Sequence, residues 1–274
     1  MSVVEVGDLT FDVDVLGPQD GTPVVLLHGW PQDRRSWREV AERLVAQGLR
    51  VIVPDQRGYS PGARPEGVES YGSDLLAQDV VDIAAALGHD RFHLVGHDWG
   101  AAVSWVVATG HADRVLSLTA VSVPHLAAYN EALSTDPDQQ QRAAYIGLLR
   151  RPGKAEEILL EGDGARLRAM YDGTVSPDDE AAYVDRLSQP GALTATLNWY
   201  RAMGPELATT PDVTVPTTFV WGASDQALGR YGAERCGDHV TADYRFVEVD
   251  GGHWLPDTHP DLIATEVLAR VLGR

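Results

Sequence analysis

Short apolar runs alternate with segments of helical periodicity along the first half of the chain. The runs are Pro23 to Leu27, Val51 to Val53, Phe92 to Val95 and Val115 to Val121, each short enough to be a strand buried on both faces. Between the first two, Trp37, Val40, Ala41, Leu44 and Val45 recur at helical spacing, and Gly48 follows as a C-cap. Leu76, Val80, Ile83, Ala84 and Leu87 repeat the pattern up to Gly88. The stretch from Trp99 to Thr109 is apolar nearly all round, which predicts a helix buried on most sides. Strands alternating with crossover helices predict an α/β fold with a mostly parallel central sheet flanked by helices.

After Val121 the alternation stops. For roughly ninety residues the pattern is helices and polar loops without a convincing strand, which reads as an inserted helical cap. A Thr/Pro-rich stretch, Ala208 to Pro216, reads as its exit linker. Thr217 to Trp221 and Tyr244 to Val249 resume as strands, and Ile263, Val267 and Val271 mark a closing helix. The expected division is a core over 1–122, a cap over 123–212 and the rest of the core over 213–274.

Composition narrows the function classes. With 274 residues, 44% of them hydrophobic, the chain can bury a large core. Its single cysteine, Cys236, allows no intrachain disulfide and reads as a packing residue. The N-terminal residues lack the basic-then-apolar order of a secretory leader, and no run reaches the ~20 apolar residues of a bilayer span. A soluble, cytoplasmic protein that is a monomer or homodimer is expected, with no membrane association. Lys plus Arg total 22 against 40 Asp plus Glu, and the net charge of −18 repels polyanions, so nucleic acid is not an expected partner.

The chemistry concentrates in Phe92-His93-Leu94-Val95-Gly96-His97-Asp98-Trp99-Gly100, where a strand runs into a helix through G-x-D-x-G. Small residues flanking such a turn let it bend sharply and raise the central side chain over the helix N-terminus. The bland reading is that Asp98 caps the helix, a common task for aspartate. Upstream, Leu27-His28-Gly29-Trp30-Pro31 ends another strand, where the Trp30 N–H, paired with that of Trp99, forms a candidate oxyanion hole. Downstream, Trp221-Gly222-Ala223-Ser224-Asp225 and Asp250-Gly251-Gly252-His253-Trp254 each carry polar residues just past a strand. The order is therefore nucleophile, acid, histidine. Asp225 and Asp250 both compete for the acid role.

Together HGWP, VGHDWG, GASD and GGHW resemble the α/β-hydrolase superfamily, over nearly the whole chain outside the cap. An Asp at the elbow resembles its epoxide hydrolases and dehalogenases, and the family position implies Asp225 rather than Asp250. The Asp55-Gln56-Arg57-Gly58-Tyr59-Ser60 stretch resembles a family loop of structural role. A carboxylate is already anionic at neutral pH and suits displacement at saturated carbon, forming an ester that a histidine-activated water then cleaves. His253 fits that base, and Asp225 would orient it. Two cap segments resemble the tyrosine-bearing segments of epoxide hydrolases. They place Tyr145 seven residues before Pro-Gly-Lys-Ala-Glu and Tyr200 in Leu-Asn-Trp-Tyr-Arg. An alkoxide leaving group needs an O–H donor, which a tyrosine supplies at neutral pH. The plain alternative is that these tyrosines, among nine, are amphipathic packing residues.

The resemblance thus implies hydrolysis of a small-molecule epoxide with no cofactor. No histidine pair has the spacing of a metal-ligand helix, so no metal is expected. Among the other histidines, His28 reads as a structural part of its loop and His97 as a neighbour of the nucleophile; His89, His93, His111, His239 and His259 read as solvated or capping. The nearest rival is a haloalkane dehalogenase, though those enzymes usually place Asn or Glu where Trp30 stands. Fluoroacetate dehalogenases carry arginine-rich elbows, whereas Trp99 follows Asp98 and the next arginine is Arg114. A serine esterase lacks its elbow serine here. A catalytically silent ligand receptor on the same fold would have lost a triad residue, and all three positions are filled.

Overall fold

The computed structural model describes residues 2–273. The chain opens with a hairpin absent from the sequence reading: β1 (Ser2–Val6) and β2 (Leu9–Leu16) pair antiparallel. These strands bury alternate residues such as Val4, Phe11 and Val13, so they carry no continuous apolar run. Then follow β3 (Pro23–Leu27), α1 (Arg38–Ala46), β4 (Arg50–Pro54), α2 (Ser73–Ala86), β5 (Phe92–His97), α3 (Trp99–Gly110) and β6 (Val115–Val121). The next segment holds α4 (Leu126–Thr135), α5 (Pro137–Arg142), α6 (Ile146–Leu149), α7 (Lys154–Met170), α8 (Pro177–Leu187) and α9 (Ala192–Ala202), with no strand among them. Non-helical backbone from Glu161 to Gly164 interrupts α7. The core resumes with β7 (Thr217–Gly222), α10 (Arg230–Arg235), β8 (Tyr244–Val249), α11 (Leu255–Thr258) and α12 (Pro260–Leu272). Gly48 and Gly88 follow α1 and α2 at φ of 81° and 84°, the left-handed conformation that ends a helix.

The eight strands form one sheet in the order β1-β2-β4-β3-β5-β6-β7-β8, parallel from β4 to β8. Side chains alternate across it. Val24 and Leu26 of β3 join Val40 and Leu44 of α1 and Ile263 and Val267 of α12, while Val25 and Leu27 join the layer of α2 and α3. Each fully buried aliphatic side chain contributes ~1.5–3 kcal/mol relative to exposure. From β3 the chain crosses to β4 on one side, and β5 lies on the other. The order therefore reverses between β3 and β5, and their carboxyl ends open the crevice where such sheets place their sites.

The helical segment sits on the loop after β4. Trp199 Nε1 donates to the Arg57 carbonyl (2.9 Å), and Arg57 grips Asp79 through two bonds of 2.7 Å. Arg186 of α8 reaches Asp55 (3.1 Å), Asp33 (3.9 Å) and the Tyr59 carbonyl (3.1 Å). Tyr171 Oη donates to the Pro31 carbonyl (2.9 Å). The Asp55–Ser60 stretch is thus the seat on which the insertion rests. Among the described residues, no helix is long and apolar enough to cross a membrane.

Candidate active site

Asp98 stands between β5 and α3 with φ 52° and ψ −122°, a strained conformation for a residue with a side chain. Two close approaches force the turn. A Cβ on Gly96 would run into the Gly100 carbonyl and Ser104, and one on Gly100 into the Leu27 and His28 carbonyls. Asp98 occupies the cap position of α3, yet its carboxylate makes no capping bond to that helix. Instead Oδ1 accepts the Trp30 N–H at 2.8 Å, and Oδ2 lies 3.3 Å from His253 Nε2.

The histidine follows β8 and meets Asp225, which follows β7. His253 Nδ1 and Asp225 Oδ2 are 2.8 Å apart, and Asp225 Oδ1 takes the Ala227 and Leu228 N–H groups at 2.8 and 3.0 Å. Arg142 also binds the Asp225 carbonyl. Asp250 is exposed, so of the two candidate acids only Asp225 reaches the imidazole. Burial opposes a charged ring, but Asp225 and Asp98 overcome it and push the His253 pKa up to about 10. Burial also opposes the Asp98 carboxylate, and hydrogen bonding and charge from His253 more than offset that, leaving its pKa below the usual value. The resting arrangement thus favours the charged form of the His253 ring.

Both tyrosines reach the same place from the helical segment. Tyr145 precedes α6 and Tyr200 lies on α9, and the Tyr200 ring meets Trp30 and Trp99 edge-on at 5.4 and 5.0 Å. Burial, then the charge of Tyr129 on Tyr145 and of Tyr145 on Tyr200, raises both phenols well above their ordinary pKa, so both remain O–H donors. Two cavities of about 100 and 260 Å³ meet at Asp98, Tyr145, Tyr200 and Ala227. One is walled by apolar groups such as Leu126, Leu133, Ile146 and Met203, and the other carries His253, Arg142 and Gln226. An electrophile at the junction would face one carboxylate oxygen and two phenols in a largely apolar site.

His28 is buried and neutral, its pKa lowered to about 4 by burial, and it ties the loop after β3 to Gln56. His97 binds the His253 carbonyl at 2.9 Å. His125, which carried no sequence signal, caps α4 by accepting the Ala127 N–H. The cavity walls were also missed, because helical spacing over residues 126–146 does not say which face meets Asp98. Position past the end of β6 was a usable signal for Ser122, whose Oγ donates to the His253 carbonyl. Among the described residues no group of three or more His, Cys, Asp or Glu side chains is placed to hold a metal ion.

The α/β hydrolase fold family matches residues 22–260. Epoxide hydrolase A of Mycobacterium tuberculosis is 34% identical over 301 aligned positions, spanning 93% of this chain and 92% of that protein. An AB hydrolase superfamily protein of Bacillus subtilis is 33% identical over 272, spanning 97% of this chain and 95% of that protein. The crystal structure of epoxide hydrolase A from Mycobacterium thermoresistibile superposes with a TM-score of 0.86 at 28% identity, covering 99% of this chain and 98% of that one. Elbow, strand order and relatives agree along nearly the full length: the chain belongs to the α/β-hydrolase superfamily and, within it, to the epoxide hydrolases.

Proposed function

We propose that the protein converts an epoxide to a vicinal diol through a covalent ester of Asp98, under a cap formed by residues 123–212. The observation that carries the reading is the asymmetry of the Asp98 carboxylate, with Oδ1 held by the Trp30 N–H and Oδ2 beside His253 Nε2, in a cavity shared with two tyrosine side chains. In the first step Oδ2 bonds to a ring carbon, the ring C–O bond breaks, and Tyr145 or Tyr200 gives its proton to the departing oxygen. Esterification removes the charge of Asp98. That charge is part of what holds the His253 pKa at about 10, so the imidazolium then sheds its proton, balancing the one the tyrosine lost. Neutral His253 takes a proton from water, and the hydroxide attacks Cγ. Oδ1 becomes an oxyanion facing the Trp30 and Trp99 N–H groups. The intermediate collapses by expelling the diol with Oδ2, which takes the proton from His253, and the new Asp98 carboxyl group then gives its proton to His253, restoring the starting pair.

The dehalogenase alternative needs free donors for a halide. Here the Trp30 N–H serves Asp98, and its indole donates to Thr196 Oγ1 at 3.3 Å.

A single turnover in ¹⁸O-water tests the mechanism. The label is expected in the protein carboxylate, and diol labelled in that first turnover would rule the ester out. Efficient halide release from alkyl halides, with no diol from a broad epoxide panel, would rule out the activity.

A further inference from the structure

His253 joins the core through a glycine pair, of which Gly251 donates to the Val249 carbonyl (2.9 Å) and accepts from the Ser224 N–H (3.0 Å). His253 lies four positions beyond the end of β8 and directly after Gly251-Gly252, the residue type with the most backbone freedom. Yet its ring must stay 2.8 Å from Asp225 and 3.3 Å from Asp98. The main chain of His253 is restrained at its carbonyl oxygen. That oxygen accepts the Leu255 N–H within its own turn (2.9 Å) and two side-chain donors from neighbouring strands, His97 Nε2 (2.9 Å) and Ser122 Oγ (3.0 Å).

Both side chains are fully buried and themselves fixed. His97 is the last residue of β5, next to the nucleophile, and its ring lies 5.0 Å from that of His253. A carbonyl only accepts, so Nε2 carries the proton and the ring is neutral with Nδ1 bare; Nδ1 has no protein partner. Ser122 follows β6 at φ 71°, a left-handed conformation unusual for a residue with a side chain, and its N–H is bound to Val220 of β7 (2.9 Å). Strain of this kind persists where the surroundings over-determine it.

We infer that His97 and Ser122 are positioning residues, which clamp the His253 main chain so that the imidazole stays aligned for ester hydrolysis. The clamp rests on the covalent reading above and goes beyond it. Ring opening uses Asp98 and the tyrosines and is nearly indifferent to the clamp. Water attack needs the imidazole in register, and displacement of a catalytic group by ~1 Å costs ~10²-fold in rate.

The test is single-turnover kinetics on styrene oxide with His97→Phe, His97→Gln, Ser122→Ala and Ser122→Gly, following ester formation and decay by stopped flow and quenched-flow mass spectrometry. Gln can restore an N–H donor, and Ser122→Gly removes the hydroxyl while suiting the left-handed backbone. Ester decay is expected to slow about 10-fold in His97→Phe and in both Ser122 variants, the scale of one buried hydrogen bond. Formation should change less than about 3-fold on the same scale, and His97→Gln should recover most of the loss. The pH at which decay reaches half its maximum should also move in the slow variants. Unchanged decay, or formation and decay slowed together without rescue by Gln, would overturn the clamp. Should His97→Phe fail to fold, the Ser122→Gly and His97→Gln pair decides the matter. A wild-type enzyme that forms no ester overturns the covalent reading itself, and the clamp with it.

Discussion

The two halves of this site are built differently. Asp98, Asp225 and His253 stand on strand ends of the core, each fixed by main-chain bonds: Asp98 by Trp30, Asp225 by Ala227 and Leu228, His253 by its carbonyl. Tyr145 and Tyr200 come from the inserted helical segment, whose α9 packs Leu193, Leu197 and Trp199 into the apolar cluster of α2 and α3 and meets Trp30 and Trp99 edge-on. Groups on rigid elements hold geometry to a fraction of an ångström, which charge transfer in both chemical steps requires. In the proposed mechanism the groups on the insertion serve the step in which only a proton donor is needed. On that reading the core would set the reaction class, and the insertion the leaving group and the shape of the substrate.

That division can be broken from either side. The largest effect should come from the core: His253→Gln is expected to alkylate but to lose ~10²–10⁴ in ester hydrolysis, so intact-protein mass spectrometry should show an adduct one substrate heavier. The wild-type hydrolysis step sharpens the point. His253 is protonated below about 10 in the resting enzyme and loses one charged neighbour on esterification, so hydrolysis should rise with pH through a midpoint below about 10. Alkylation should lack that limb. An unmodified, active His253→Gln would remove the histidine from the mechanism.

Next comes the insertion. Tyr145→Phe and Tyr200→Phe should each slow alkylation by ~10² and leave hydrolysis of the ester nearly unchanged, with the double variant close to inactive. Alkylation by the double variant at the wild-type rate would reduce both tyrosines to wall residues. The smallest effect on turnover, though not on stability, is expected at the seam. Arg186→Met leaves Asp33 and Asp55 buried with one cation fewer, and should cost about 3 kcal/mol, because Arg34 and Arg35 remain on the two carboxylates. Urea denaturation reads it directly. Burial and the neighbouring Asp55 raise the Asp33 pKa to about 6.

The same contrast explains what was legible in the sequence. Strands β3 to β7 show as apolar runs because they are covered on both faces, whereas the edge strand β8 keeps Arg245 and Glu248 exposed; Asp98, Asp225 and His253 show because each lies just past a strand. The β1–β2 hairpin was missed because it is half-buried at the sheet edge, where no run forms. Asp225 and Asp250 could not be separated by spacing, since both lie close to a strand end; only the fold turns one into the imidazole's partner and leaves the other exposed. In the insertion, helical spacing announced helices but not their facing, so the cavity wall and the Arg186 seat were invisible. Tyr145 and Tyr200 were found through resemblance and not through periodicity.

The hydrogen bond from the Trp30 N–H to Asp98 Oδ1 has a consequence for the history of a single enzyme molecule. A carboxylate is symmetric in water, and rotation about its Cβ–Cγ bond makes its oxygens interchangeable. Here one oxygen is anchored and the other lies beside His253. Under the proposed ester mechanism each turnover would export that second oxygen in the diol and replace it from water, while the anchored atom would stay. The enzyme would then carry one oxygen renewed with every catalytic cycle beside one that dates from its synthesis, told apart for as long as that single bond prevents the group from turning over.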